Sequence, residues 1–287
     1  MAYKIFSDTG SNYTDEMAKE KNVTIVPLSF FINGKEYKNS NKQIMEEVYA
    51  ALRRKEKVTT GSASVYAFEE AFTAELEKGN DILYLAFSSG LSGTYANAVA
   101  AREELLEKFP DRKIIIVDSL CAALGQGLLL TYACEFRDMG ETIEDVANFL
   151  ETNKLRLSHL FTVDEMFYLY RGGRISRTTY LVARFASIKP IMHVDDEGHL
   201  TAIGKTIGRK SALKKMVEKV VETIEDPEKQ YVYIVHGDCK EEAEWVRDEL
   251  AKMFTPKEFF IDYLCPMIGA HSGPGTLAIF YLSKHRV

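Results

Sequence analysis

An α/β fold of two domains is what this sequence predicts, and three observations predict it. Two short, almost wholly apolar runs, "DILYLAFS" (81–88) and "KIIIVDS" (113–119), have the composition of strands buried on both faces. Between them Tyr95, Ala98, Val99, Leu105, Leu106 and Phe109 fall along one helical face, and Pro110 stops the helix. After residue 155 the pattern changes to include a hairpin. At roughly 100–200 residues per domain, a chain of 287 residues holds one large or two ordinary domains.

Taken in order, "YKIFSD" (3–8) reads as a strand, with Asp8–Ser11 as a turn before a helix. "VTIVPLSFFING" (23–34) reads as a strand bent at Pro27, and a polar helical segment follows over 41–56. "SVYAFEEAFTAELEKG" (64–79) carries apolar residues three and four apart, then a glycine stop. Strand, helix and strand in succession imply right-handed crossovers and a mostly parallel sheet with flanking helices. Helices are predicted over 120–139 and 142–153, the second with Thr142 as N-cap. A domain boundary is expected near 155, giving domains 1–155 and 156–287. In the second, "SHLFTV" (158–163) reads as a strand and 188–206 as a hairpin turning at Asp195–Gly198. A helix (210–224), a strand (231–237), a helix (239–253) and two strands (258–264, 276–282) complete a mixed sheet with helices.

Composition removes several functions. Lys plus Arg number 36 against 42 Asp plus Glu, a net charge of −6. A nucleic-acid surface as the main function would carry a basic footprint instead. No apolar run approaches the roughly 18 residues of a membrane span, so no stable membrane insertion is expected. The four cysteines, Cys121, Cys134, Cys239 and Cys265, neither pair as CxxC nor stand beside a histidine at zinc-ligand spacing. They read as free thiols of a cytoplasmic protein without a metal or a cofactor.

Three motifs are decoys. "FSDTGSN" (6–12) holds the Asp-Thr-Gly of aspartic proteases, but those enzymes need a second such aspartate and none occurs. "GHLTAIGKT" (198–206) has five residues between its glycines where a P-loop has four, and it lies in a hairpin. In "GLSGT" (90–94) the second glycine directly follows Ser92, unlike a nucleophile elbow.

Four segments carry candidate chemistry. "SSGLSGT" (88–94) joins the carboxyl end of a buried strand to a helix start. Ligands of open α/β sheets bind at that place, and unpaired helix N–H groups favour an anion there. "TTGSAS" (59–64) has the same chemistry before the next helix. Neither loop contains Lys or Arg, which suits a monoanionic carboxylate better than a phosphate. On these residues alone, simple helix capping stays open for both loops. In "MIGAHSGPGTLAIFYL" (267–282), His271 lies in a glycine-rich turn between two strands, a ligand contact or a structural histidine. In "YRGGRISR" (170–177), Arg171, Arg174 and Arg177 flank two glycines, as an anion contact, a docking surface or a solvated loop.

Together these segments resemble the DegV family, whose members carry a TSQPS-like loop, an S-S-G-L-S-G-T-Y loop, a G-G-R-I-S segment and an I-G-x-H-x-G-P-G turn. Thr60–Ser64, Ser88–Tyr95, Gly172–Ser176 and Ile268–Gly275 stand in that order over nearly the whole chain. Gly61, Ser62 and Ala63 depart from the first motif. The resemblance implies two α/β domains with a long-chain fatty acid between them in an apolar tunnel. Its carboxylate would meet Thr60, Ser92 and His271, helped by backbone N–H groups near Gly93. The resemblance further implies a lipid carrier, not an enzyme by itself. It would present the acid to a separate ATP-dependent fatty acid kinase subunit that makes an acyl phosphate. Arg171 and Arg174 would dock that partner or manage the acyl-phosphate charge. Two other readings remain open. One is an acyl ester or thioester hydrolase with Ser92 as nucleophile, His271 as base and Asp262 or a distant group orienting it. The other is a sensor of a small carboxylate.

Overall fold

Apolar runs become strands here wherever two faces need covering. The computed structural model describes residues 2–37, 41–183 and 188–287. Its strands are β1 (Tyr3–Asp8), β2 (Val23–Val26), β3 (Ser29–Ile32), β4 (Lys35–Tyr37), β5 (Val58–Gly61), β6 (Asp81–Ala86), β7 (Ile114–Asp118), β8 (Leu157–Thr162), β9 (Ile188–Val194), β10 (Leu200–Ile207), β11 (Tyr231–His236), β12 (Glu258–Tyr263) and β13 (Leu277–Leu282). Its helices are α1 (Asp15–Glu20), α2 (Lys42–Arg53), α3 (Val65–Leu76), α4 (Thr94–Lys108), α5 (Leu124–Asp138), α6 (Ile143–Asn153), α7 (Met166–Arg171), α8 (Arg177–Ala183), α9 (Arg209–Thr223), α10 (Lys240–Ala251) and α11 (Pro266–Ser272).

The first sheet has the order β2-β1-β6-β7 and is parallel throughout. Its strands alternate between two cores. Ile5, Leu83, Leu85 and Val117 face α5 and α6, whereas Phe6, Ile82, Tyr84 and Ala86 face α3 and α4. A small antiparallel sheet, β4-β3-β5, closes the second of these cores with α2. The third sheet, β10-β9-β8-β13-β11-β12, is mixed: β11 and β12 run parallel and its other pairs antiparallel. One face, with Leu160, Ile234, Leu277 and Ile279, packs on α9 and α10. The other, with Phe161, Tyr233, Ala278 and Phe280, packs toward α5.

Helix α5 therefore lies between the parallel sheet and the mixed sheet. Every residue from Leu124 to Cys134 is buried, as expected of a helix covered all round. The Thr131 hydroxyl ties both sides together, 2.7 Å from the Tyr13 hydroxyl and 3.2 Å from that of Tyr233. The helix starts four residues later than its Ala- and Leu-rich sequence suggests. Leu120 (φ 50°) and Ala123 (φ 51°, ψ −145°) put the chain between β7 and α5 into conformations that L-residues rarely adopt.

The Asp-Thr-Gly segment is a structural knot. The buried Asp8 carboxylate accepts the N–H groups of Gly10 (2.8 Å) and Phe87 (2.9 Å), the Tyr84 hydroxyl (2.6 Å) and the Gln126 amide (3.3 Å). It thereby joins the ends of β1 and β6 to α5. Burial pushes its pKa up while those bonds hold it down. Thr142 caps α6 by accepting the Asp145 N–H, and the 188–206 hairpin turns at Asp195–Gly198 as expected. Among the described residues no helix is long and apolar enough to cross a membrane.

Gly125 sits where α5 crosses β8, and a Cβ there would overlap the His159 ring. Elsewhere in a helix interior Gly→Ala gains up to about 1 kcal/mol. Here overpacking, at about 1–3 kcal/mol, reverses the sign. Urea unfolding of Gly125→Ala should show a lower midpoint at unchanged slope. An equal or higher midpoint would mean that His159 yields freely.

Candidate ligand-binding site

The carboxyl ends of β6 and β7, the amino end of α5 and the inner face of the mixed sheet enclose a cavity of about 470 Å³. That lies within the range of small-molecule sites. One end is polar and partly open: Thr60, Ser62, Ser89, Ser92, Gly93, Arg174 and His271 line it, and Ser62, Ser89 and Gly93 are exposed. The rest is apolar and deep, with Leu264, Met267, Ala122, Ala123, Phe161 and Phe280 on its walls. His159, Ser272 and Thr276 also line it, but their polar atoms are already bonded to backbone groups. Arg174 supplies a formal positive charge, and among the described residues no Asp or Glu lines the cavity.

Each of the four segments delivers a part. Thr60 lies on β5 rather than in a loop, paired with Phe30 of β3. The expected loop divides: its β-branched threonines suit a strand, and Ser64 alone caps α3 by accepting the Ala67 N–H. His271 lies in the last turn of α11 rather than in a turn between strands. The helix was hidden by its glycines. Pro266 at its first position and Gly273 (φ 81°) just past its end are the signal that could have found it.

The second loop turns tightly after β6. The Leu91 and Ser92 N–H groups bond to the Ser88 carbonyl at 3.0 and 3.1 Å. The Ser88 hydroxyl donates to the Gly198 carbonyl (2.9 Å), seating the loop on the hairpin turn. Ser92 Oγ accepts the Thr94 N–H (3.2 Å) and shares a 2.8 Å contact with the Thr94 hydroxyl. Helix α4 has no side-chain cap on its Gly93 N-cap residue, and the Gly93 N–H finds no acceptor among the described residues. Local capping by Ser92 and an unpaired Gly93 N–H thus meet in one loop.

The Gly-Gly-Arg segment brings the charge. Arg174 donates to the carbonyls of Gly172 (2.5 Å) and Leu91 (2.7 Å) and approaches His271 Nδ1 at 3.4 Å. Gly172 has no alternative, because a Cβ there would overlap the imidazole. Arg171 points elsewhere: it is exposed, lies over the Phe167 and Tyr168 rings and donates to the Glu56 carbonyl. Sequence reasoning paired the two arginines, and only the fold separates them.

His271 Nε2 lies 2.7 Å from Thr60 Oγ1. A guanidinium only donates, so Nδ1 facing Arg174 is the acceptor and the ring proton sits on Nε2. That proton goes to Thr60 Oγ1, which leaves the Thr60 hydroxyl proton free for a ligand. Burial, then the charges of Arg174 and Arg171, push the His271 pKa down to about 3. The imidazole is a neutral positioning group, and the guanidinium carries the charge. Ser92 and His271 share no hydrogen bond, and among the described residues no carboxylate orients the ring. Asp262 lines a different cleft. A nucleophile–base pair needs both contacts.

The cavity of this α/β protein thus joins a cationic, hydroxyl-lined mouth to an apolar interior. The comparisons place the chain more closely. Residues 2–284 match the DegV family model, which is described as that of an uncharacterised protein family. This chain belongs to the DegV family. A DegV domain-containing protein of Clostridium perfringens is 40% identical over 282 residues, covering 98% of this chain and 97% of that one. One of Streptococcus pyogenes is 34% identical over 287 residues, 99% of each. Among solved structures, a fatty-acid-binding DegV family protein from Thermus thermophilus superposes with a TM-score of 0.90 at 26% identity, covering 99% of this chain and all of the other. A DegV lipid-binding protein from Thermotoga maritima superposes with a TM-score of 0.87 at 26% identity over the whole of both chains.

A His271 pKa near 3 in the folded state lies below the usual histidine value of 6.5. The unfolded chain takes the proton first, so this stability is complete above about pH 6.5 and is lost as pH falls toward 3. The His271 ring resonances should not shift between pH 8 and pH 5, and His271→Gln should flatten the acid loss of stability. Titration of that ring near pH 6.5 would refute the neutral assignment.

Proposed function

We propose that this protein is a carrier that binds a long-chain fatty acid and presents it to a separate ATP-dependent fatty acid kinase subunit, which converts it to an acyl phosphate. The observation that carries the binding half is the charge distribution of the cavity: a guanidinium with neutral donors at an open mouth, no carboxylate among the described residues, and an apolar interior. A carboxylate on a long hydrocarbon chain matches both ends. Its oxygens would take the Thr60 and Ser92 hydroxyls, the Gly93 N–H and Arg174, with His271 orienting Thr60. Its chain would run past Leu264 and Met267 toward Phe161 and Phe280. Solved relatives of the same fold that bind fatty acids support this reading.

The carrier half rests on the DegV resemblance and on the site's chemistry. The neutral His271 is bonded to a threonine and faces a cation, which suits holding a carboxylate rather than activating a nucleophile. The head-group residues Ser62, Ser89 and Gly93 are exposed, so a partner could reach the carboxylate while the chain stays buried. Arg171, exposed beside the mouth segment, is the residue for docking such a partner.

Organic extraction of the purified protein followed by mass spectrometry tests the reading directly. About one fatty acid per chain is expected, and a protein that carries none and takes up none would end it. In Thr60→Ala and Ser92→Ala, losing a bond to a charged group costs about 1.5–3 kcal/mol, or about 10- to 150-fold in Kd. Their circular dichroism should be unchanged. Kinase-dependent acyl phosphate formation should fall in Arg171→Ala with fatty-acid Kd unchanged; full turnover in that variant would remove Arg171 from the docking role.

A further inference from the structure

Arg286 lies outside the cavity and outside all four motif segments, yet every N–H of its guanidinium is used. Nε donates to the Leu157 carbonyl (3.1 Å), Nη1 to the carbonyls of Leu120 (2.9 Å) and Asp195 (2.7 Å), and Nη2 to the Lys154 carbonyl (2.6 Å) and the Cys121 thiol (3.4 Å). No carboxylate pairs with it among the described residues. A guanidinium that spends all its donors on backbone and a thiol is holding chain segments together, not balancing a charge.

The segments it joins are informative. Leu120 and Cys121 belong to the stretch between β7 and α5, whose next two residues, Ala122 and Ala123, form part of the deep cavity wall. Leu120 and Ala123 both have positive φ. Such conformations persist only where the surroundings over-determine them. Arg286 adds to that constraint by tying the stretch to the hairpin turn at Asp195 and to the start of β8, beside the bonds that Asp118, Ser119 and His159 make to the N–H groups of Leu120, Cys121 and Ala122. Lysine cannot replace it, because an ammonium offers three donors at one point and not a planar fork.

We infer that Arg286 is a positioning residue for the deep wall of the cavity, and that it sets how well the far end of an acyl chain is accommodated. This rests on the fatty-acid reading above. Without the clamp, the 119–123 stretch relaxes and the wall around Ala122 and Ala123 shifts. Thr60, held by β3 and His271, and Arg174, held by the Gly172 carbonyl, stay in place at the mouth.

The test compares a long and a short acid. Kd for octadecanoic and decanoic acid is measured with delipidated wild type, Arg286→Met and Arg286→Lys, each checked by circular dichroism. Arg286→Met should raise Kd for octadecanoic acid at least about tenfold and for decanoic acid less than about threefold. A merely structural role would lower the melting temperature without separating the two acids. Equal factors for both acids, or no change in either, would overturn the inference. If the methionine variant does not fold, the lysine variant is read by the same ratio. A wild type that binds neither acid overturns the fatty-acid reading itself, and this inference with it.

Discussion

Everything in this molecule is arranged around one buried helix. Because α5 is covered on all sides, the parallel sheet and the mixed sheet must stand apart by the width of a helix, about 10–12 Å. Strand β6 is apolar on both faces for that reason, and the inner face of β8 and β13 carries Phe161, Ala278 and Phe280. The helix begins only at Leu124. Beyond that point the two sheets are still held apart with no helix between them, and the space that remains is the cavity. The cavity is the continuation of α5 by other means, and the strained stretch before Leu124 is part of its inner wall.

The chemistry at the mouth follows from economy of charge. A half-buried imidazolium beside Arg174 would set two cations together at partial cost of hydration. The fold avoids this by keeping His271 neutral and using it to fix a hydroxyl. One guanidinium, the Thr60 and Ser92 hydroxyls and the start of α4 at Gly93 then line the mouth. A histidine whose two nitrogens are committed to a threonine and an arginine has no lone pair to lend to Ser92.

The elements legible in the sequence were those set by local rules. The double-faced strands, the Thr142 cap, the hairpin at Asp195–Gly198 and the four glycine- and hydroxyl-rich segments could all be read from periodicity, capping chemistry and motif. Thr60 was legible as a residue but not as part of a strand, because β5 exists only by pairing with β3 across an intervening helix. Helix α11 was obscured by Gly269, which is there because a Cβ would meet the Tyr49 hydroxyl at 2.6 Å. The division of labour between Arg171 and Arg174, and the whole of Arg286, were invisible. Apart from that of Gly172, the carbonyls they bond are distant in sequence, and a carbonyl leaves no trace in residue type.

Asp8 carries a different consequence. Its two oxygens take four donors, from its own turn, from β6 and its end, and from α5. An amide or hydroxyl in its place would have fewer lone pairs to offer and a donor of its own to satisfy. Were variants of this scaffold selected to hold a different guest, the cavity lining would drift while Asp8 stayed fixed. The most enzyme-like triplet in the chain is a signature of the container, silent about its contents.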